Sequence, residues 1–175
     1  MFWTFFDIFF IKGLSFLTTL FLAKILTPED FGLIGSISIF IAISTTLIDG
    51  GLTSSLIRSK EVDNDDYTTI FYTNIVTSVF LYLVLFLSAP MIASFFGHSI
   101  IINIIRVYGL VFVISSFSSV QTTILIRELN FKRLAILNIP SILIGCAVAL
   151  YMGFNDYGVW SLVFMYLTTQ IITVL

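Results

Sequence analysis

The hydrophobic pattern divides the 175-residue chain into long apolar stretches separated by short polar segments. Uncharged runs cover residues 31–48, 67–105, 107–126, 134–155 and 157–175, and the second of these runs is 39 residues long. An apolar stretch of about 18 residues or more can cross a bilayer as a helix. Backbone groups in the bilayer core find no water, so such a segment must bond within itself. The pattern therefore predicts an all-α polytopic membrane protein.

We predict six membrane-spanning helices from these runs and their flanking residues. About 20 residues cross a hydrocarbon core of about 30 Å, so the longer second, third and fourth spans should tilt, bend or protrude. The predicted spans are Phe5–Leu26, Phe31–Ile57, Tyr67–Phe96, Ile100–Ile126, Leu134–Phe154 and Tyr157–Leu175.

The cations between the spans predict the orientation of the chain. The loops after spans two and four contain five Lys and Arg residues, whereas the loops after spans one, three and five contain none. Because Lys and Arg are enriched in cytoplasmic loops, we expect these two loops and the amino terminus in the cytoplasm. Lys24, near the outer end of span one, can extend its side chain to the interface. The five loop cations are Arg58, Lys60, Arg127, Lys132 and Arg133.

Two segments of similar sequence predict helix starts on the outer side. Asp30-Phe31-Gly32-Leu33 opens span two, and Asp156-Tyr157-Gly158-Val159 opens span six. Thr27 fits an N-cap, followed by a proline at the first helical position and an acid at the third. Asp156 or Asn155 can cap span six in the same way.

Small and polar residues inside the spans predict contacts between helices. Gly145, Ala149 and Gly153 recur every four residues, which is typical of a face where two helices approach closely. The segment from Ser115 to Thr123, with sequence SSFSSVQTT, is too polar to face lipid. We expect it to face protein or water.

Three charged residues within or near the spans are candidates for substrate binding: Arg106, Asp49 and Lys12. Arg106 is predicted about 9 Å below the outer interface, where a cation is costly unless it faces other helices, a watery cavity or the headgroups. Asp49 is predicted near the cytoplasmic edge, either in a solvent-facing helix end or lining an inward-facing cavity. Lys12 either pairs loosely with Asp7 or belongs to the same cavity.

The composition narrows the functional classes. Residues are 58% hydrophobic and 10% charged, whereas about a quarter of residues are charged in soluble domains. The net charge of −2 does not favour nucleic acid as a partner. One histidine and one cysteine provide no metal-binding spacing, no nucleophile motif and no cofactor site. We therefore predict a protein without catalytic residues, metal or cofactor.

Five segments together resemble bacterial polysaccharide flippases, the O-antigen and exopolysaccharide exporters of the multidrug/oligosaccharidyl-lipid/polysaccharide superfamily. The segments occur in the family's order and at its spacing, and they cover nearly the whole chain. They are KGLSFLTTLFLAKILTPEDFGLIG, DGGLTSSLIRSKEVDNDDYTTIFYTN, APMIASFFG, IRELNFKRLA and YGVWSLV.

The resemblance implies a multi-pass carrier of the bacterial inner membrane that moves undecaprenyl-diphosphate-linked oligosaccharides for surface polysaccharide synthesis. Residues 1–175 would form one transmembrane domain, an N-terminal lobe of six helices in a carrier of about 12 to 14, ending within span six. Its partners would be the lipid-linked oligosaccharide, membrane lipids and a C-terminal lobe. The alternatives are a multidrug and toxin extrusion carrier of the same superfamily, whose cationic cargo would need acids, or a non-transporting membrane fragment.

Overall fold

The computed structural model of the protein describes residues 2–49 and 63–174, which contain seven helices and no strand. Most connections between consecutive helices in the described residues are short. The helices are α1 (Phe2–Leu22), α2 (Pro28–Asp49), α3 (Asn64–Phe96), α4 (Ile100–Tyr108), α5 (Leu110–Arg127), α6 (Phe131–Phe154) and α7 (Trp160–Val174).

The helices confirm the predicted fold class and the count of six spans, because α4 and α5 together form the fourth. Within residues 2–49 and 63–174, three stretches are long and apolar enough to cross a membrane, namely Asp65–Phe96, Ile100–Arg127 and Phe131–Phe154. Two shorter apolar helices, Ile8–Leu22 and Trp160–Val174, accompany them, and α2 has 22 residues. The end of predicted span two, residues 50–57, lies outside the described residues.

The fourth span is interrupted at Gly109, which the sequence did not predict. Gly109 separates α4 from α5 while its own backbone stays in the right-handed helical region, with φ −59° and ψ −22°. A Cβ atom at this position would lie 3.0 Å from the ring of Tyr82 on α3. The missing side chain therefore lets the tyrosine ring of α3 approach the backbone between α4 and α5.

Contacts at the ends of the bundle agree with the predicted alternation of the spans. His98, between α3 and α4, lies 3.6 Å from Glu29 at the start of α2. At the opposite end, the Arg127 guanidinium of α5 donates a hydrogen bond of 2.9 Å to the hydroxyl of Tyr67 on α3. We call these the outer end and the inner end respectively, after the predicted orientation.

Small residues hold α6 close to two neighbouring helices. A Cβ atom on Gly145 would overlap the Thr169 hydroxyl of α7 and would lie 2.9 Å from the Met165 carbonyl oxygen. A Cβ atom on Gly153 would lie 2.6 Å from Leu22 of α1, and Ala149 between them is fully buried. The predicted small-residue contact face is confirmed.

Asp30 connects the starts of α2 and α7, which are far apart in sequence. Its carboxylate accepts hydrogen bonds from the backbone N–H and the hydroxyl of Thr27, at 3.0 and 2.8 Å. It also accepts the backbone N–H of Val159, at 3.1 Å. The predicted cap of α2 is therefore confirmed, and one carboxylate satisfies helix-terminal donors of both helices.

The prediction that Asp156 or Asn155 caps the sixth span is wrong. The side-chain amide of Asn155 donates to the Tyr151 carbonyl of α6, at 2.7 Å, so it serves the end of the preceding helix. Asp156 has a φ of 59° in the turn between α6 and α7. Asp30 from α2 takes the expected role because Gly158, with a φ of 52°, brings the backbone before α7 next to the Asp30 carboxylate.

We expect Gly145→Ala to destabilise the bundle by about 1–3 kcal/mol, because the added methyl group meets a backbone carbonyl that cannot rotate away. Gly13→Ala on α1 is the matched control, since a Cβ atom there has no heavy atom within 4 Å. The measurement is thermal unfolding in detergent, followed by a fluorogenic thiol reagent that reacts with buried Cys146 once the protein unfolds. Equal midpoints for the two variants would contradict the close α6–α7 contact.

We expect Asp30→Ala to lower the free energy of unfolding by about 1–3 kcal/mol, because donors at the starts of two helices lose their acceptor. Asp156→Asn is the control, since it removes an acid from the same end of the bundle at a backbone conformation that Asn tolerates. The same unfolding measurement compares the variants. If both have the midpoint of the parent protein, the bond between α2 and the segment before α7 contributes nothing to stability.

Candidate functional site

Arg106 is a half-buried cation between α4 and α3. Its guanidinium lies 4.3 Å from the centre of the Phe86 ring, which is a cation–π distance. Its Nε atom is buried and has no hydrogen-bond partner. Its backbone carbonyl accepts a hydrogen bond of 3.2 Å from the hydroxyl of Tyr82. The ring and the tyrosine therefore hold Arg106 in place without neutralising its charge.

The other two predicted site residues lie on different helices. Lys12 is exposed on α1, a helix that packs against α6. Asp49 is the last residue of α2, and its side chain lies outside the described part of the structure. Lys12 and Arg106 therefore lie on different helices, α1 and α4, which pack against α6 and α3 respectively.

Two cavities open at the ends of the bundle. The outer cavity measures about 250 Å³ and contains the Glu29–His98 pair. The inner cavity measures about 430 Å³ between α5, α6 and α7. Neither of them is lined by Arg106 or Lys12. The outer cavity is lined by Glu29, Gly32, Leu33, Ser36, Phe96, His98 and Ile101; the inner one is lined by Gln121, Ile124, Leu125, Glu128, Arg133, Leu137, Thr173 and Val174.

Buried polar residues follow the contact between α3 and α5. Asn74 is 1% exposed, and its amide donates a hydrogen bond of 3.1 Å to the Ser119 hydroxyl. Ser116, Ser118 and Thr123 of α5 are also buried, as is Ser78 of α3. Each of these hydroxyls donates to a carbonyl of its own helix three or four residues earlier. The expectation that this polar segment faces protein or water is confirmed for its buried members.

Asn74 and Asp30 have structural roles that the sequence reasoning did not assign. Asn74 stands within the 39-residue uncharged run, and a carboxamide inside a span is a signal for a contact between helices. Asp30 was identified only as a local cap. Its second bond, to Val159, joins residues 129 positions apart, and the chain position of a single acid gives no information about such a distant partner.

The exposed faces of α1 and α2 differ in character. The exposed face of α1 carries large apolar residues, as expected for contact with lipid, whereas that of α2 also carries small and polar ones. On α1 the large ones are Ile8, Phe9, Phe16, Leu17, Leu20 and Phe21; on α2 the small and polar ones are Gly32, Gly35, Ser38, Ala42 and Thr46. A Cβ atom on Gly32 or Gly35 would meet no heavy atom within 4 Å. The α2 face is therefore open in this structure.

The sequence matches a described protein family over most of its length. The profile of the family described as "Polysaccharide biosynthesis protein" covers residues 21–175. This range contains helices α2 to α7 and the end of α1.

Curated proteins with similar sequences include three from bacterial polysaccharide biosynthesis. The succinoglycan biosynthesis transport protein ExoT of Rhizobium meliloti is 28% identical over 86% of this chain and 30% of its own length. The lipopolysaccharide biosynthesis protein WzxC of Escherichia coli is 25% identical over 77% of this chain and 27% of its own length. The teichuronic acid biosynthesis protein TuaB of Bacillus subtilis is 26% identical over 61% of this chain and 23% of its own length.

The chain spans less than a third of the length of these curated relatives, with values of 23% to 30%. No solved structure matches the chain. The similarity therefore concerns a portion of each relative and comes from sequence alone.

We expect a double-mutant cycle with Asn74→Ala and Ser119→Ala to give a coupling energy of about 0.5–1.5 kcal/mol, as for other hydrogen bonds between membrane helices. Ser36→Ala is a matched control for the serine change, because its hydroxyl bonds only within α2, to the Gly32 carbonyl. Thermal and denaturant unfolding in detergent provide the free energies. A coupling energy of zero would show that this bond between α3 and α5 does not contribute to stability.

Proposed function

The chain belongs to the polysaccharide biosynthesis protein family, and from this premise we propose that it forms part of a carrier for lipid-linked oligosaccharides. The cargo is an undecaprenyl-diphosphate-linked oligosaccharide, which the carrier moves across the bacterial inner membrane for surface polysaccharide synthesis. The multi-pass helical architecture and the names of the relatives support this proposal. The carrier is not an enzyme, because moving a lipid between leaflets breaks no covalent bond.

Residues 1–175 form one transmembrane domain in this proposal, with the amino terminus in the cytoplasm. The curated relatives are about three times as long as this chain, so a second lobe completes the carrier. The open face of α2 supports this arrangement, because small and polar side chains suit a surface that faces another lobe or water better than one that faces lipid. The cargo then passes along this side of the lobe.

Arg106 is the residue that we assign to the diphosphate, and its half-buried guanidinium, packed on Phe86 with no acidic partner among the described residues, is the observation that carries the assignment. A guanidinium can bind two phosphate oxygens at once through parallel N–H groups. The guanidinium already packs on the Phe86 ring, so less side-chain freedom is lost when an anion binds. An unpaired cation at membrane depth is costly, and an anionic cargo offsets that cost.

We also assign Lys12 and Asp49 to the path of the cargo, although they lie on other helices than Arg106. Lys12 is an exposed cation on the face of α1 that we expect to contact lipid, where it would meet an anionic lipid-linked cargo at the edge of the lobe. Asp49 ends α2, the helix with the open face. We assign both residues to stages of the passage other than the one at Arg106.

The alternative cargo is a cationic drug, as in multidrug and toxin extrusion carriers. Such a cargo needs acids along the path, whereas two of the three assigned residues, Arg106 and Lys12, are cations and only Asp49 is an acid. The matched family and the three relatives concern polysaccharide biosynthesis. These observations favour the oligosaccharide cargo.

We expect Arg106→Ala in the full-length carrier to reduce surface polysaccharide by tenfold or more, an order-of-magnitude figure for loss of a charge-assisted phosphate contact. The lipid-linked precursor should accumulate in the inner leaflet. Arg106→Lys should retain part of the export, because it keeps the charge but loses the bidentate geometry. The measurement is complementation of a strain that lacks its own carrier, with polysaccharide and precursor quantified separately.

Lys24→Ala is the matched control, because Lys24 is an exposed cation at the outer end of α1. Membrane fractionation verifies that each variant inserts in normal amounts. Normal export by an inserted Arg106→Ala protein would remove Arg106 from the mechanism. Normal polysaccharide together with lost drug resistance would favour the alternative carrier.

A further inference from the structure

The wall of the inner cavity contains charged, neutral polar and apolar residues. Its polar wall contains Glu128 and Arg133, which flank the connection between α5 and α6. Its apolar wall contains Leu125, Leu137 and Val174. Gln121 lies seven residues before Glu128 on α5, so the cavity reaches about 10 Å from the headgroup level towards the hydrocarbon. Its volume of about 430 Å³ lies within the usual range for small-molecule sites.

The two opposite charges in this cavity do not neutralise each other. Glu128 and Arg133 are both exposed, and no ion pair between their side chains is recorded. The neighbouring cation Arg127 instead donates to the Tyr67 hydroxyl on α3, and Lys132 does not line the cavity. One carboxylate and one guanidinium are therefore presented separately within one cavity.

We propose that the inner cavity binds the headgroup of a zwitterionic phospholipid that carries a primary ammonium, of the phosphatidylethanolamine type. The Arg133 guanidinium contacts the phosphate, and the Glu128 carboxylate accepts hydrogen bonds from the ammonium. Gln121 and Thr173 provide neutral hydrogen-bonding groups. Leu125, Leu137 and Val174 contact the first carbons of the acyl chains. This site is distinct from the path assigned to the cargo, because Arg106 is not among its residues.

The charge pattern selects this lipid class over the other common ones. An anionic phospholipid or a diphosphate would suit Arg133 but would place a negative group near the Glu128 carboxylate. A choline headgroup has a positive charge but no N–H donor, so it cannot hydrogen-bond to Glu128. A primary ammonium has three donors, and charge-assisted hydrogen bonds are the strong ones.

A methylation series of lipids tests the proposal in the unmodified protein. Phosphatidylethanolamine, its N-methyl and N,N-dimethyl derivatives, phosphatidylcholine and phosphatidylglycerol, all with the same acyl chains, are added to the protein in detergent. Thermal unfolding is followed by the reaction of buried Cys146 with a fluorogenic thiol reagent. We expect phosphatidylethanolamine to raise the midpoint by several degrees more than phosphatidylcholine or phosphatidylglycerol, with the gain falling as methyl groups are added.

Substitutions of the cavity residues test whether the preference for phosphatidylethanolamine comes from the inner cavity. Glu128→Gln and Arg133→Gln should each abolish the difference between phosphatidylethanolamine and phosphatidylcholine. Lys132→Gln removes the cation next to Arg133 in the first turn of α6, which does not line the cavity. It should keep the difference, as should Asp156→Asn at the outer end. Native mass spectrometry provides a second measurement, in which the parent protein retains more ethanolamine lipid than Glu128→Gln.

Three results would overturn the proposal. The first is equal stabilisation of the unmodified protein by all five lipids, a measurement that needs no variant. The second is a lipid preference that survives both cavity substitutions. The third is stronger stabilisation by phosphatidylglycerol than by phosphatidylethanolamine, which would identify an anion site. None of these outcomes depends on transport, so they are independent of the proposed carrier function.

Discussion

The absence of water in the hydrocarbon layer is the constraint on which this structure depends. Each backbone N–H and C=O within a span must bond inside its own helix, and each polar side chain needs a partner in the protein or a route to the interface. The buried serines and threonines of α5 meet this requirement by donating to carbonyls of their own helix. Asn74 of α3 meets it in part, because its amide donates a hydrogen bond to the Ser119 hydroxyl of α5.

Two kinds of contact connect the spans under this constraint. Where α6 meets α1 and α7, glycine and alanine remove side chains so that dispersion contacts form at short range. Where α3 meets α4 and α5, polar groups and aromatic rings provide the contact, from Tyr67–Arg127 at the inner end of α5 to Phe86–Arg106 on α4, towards the outer end. Asp30 then connects α2 to the segment before α7. The face of α2 described above stays open in this lobe, and in the proposed carrier the cargo passes along it.

The sequence predicted the elements of this fold well and its long-range contacts poorly. Length and apolar composition were sufficient for six spans, because a bilayer permits few alternatives to a helix. The pattern of Gly145, Ala149 and Gly153 predicted a close contact face but not which helices it would meet. The cap by Thr27 was predicted because its partner is three residues away. The cap of the sixth span was assigned wrongly because the acid that acts there comes from α2.

The candidate site also has features that the sequence predicted and features that only the tertiary structure showed. The sequence by itself determined that the chain is an all-α membrane protein with few cations in its spans, because those conclusions follow from composition and local periodicity. Only the tertiary structure decided that Arg106 packs on Phe86 with its Nε atom unpartnered, and that Glu128 and Arg133 share one cavity. The physical reason is that helix formation depends on bonds within about four residues, whereas helix neighbours are chosen by the fit of whole surfaces distant in the chain.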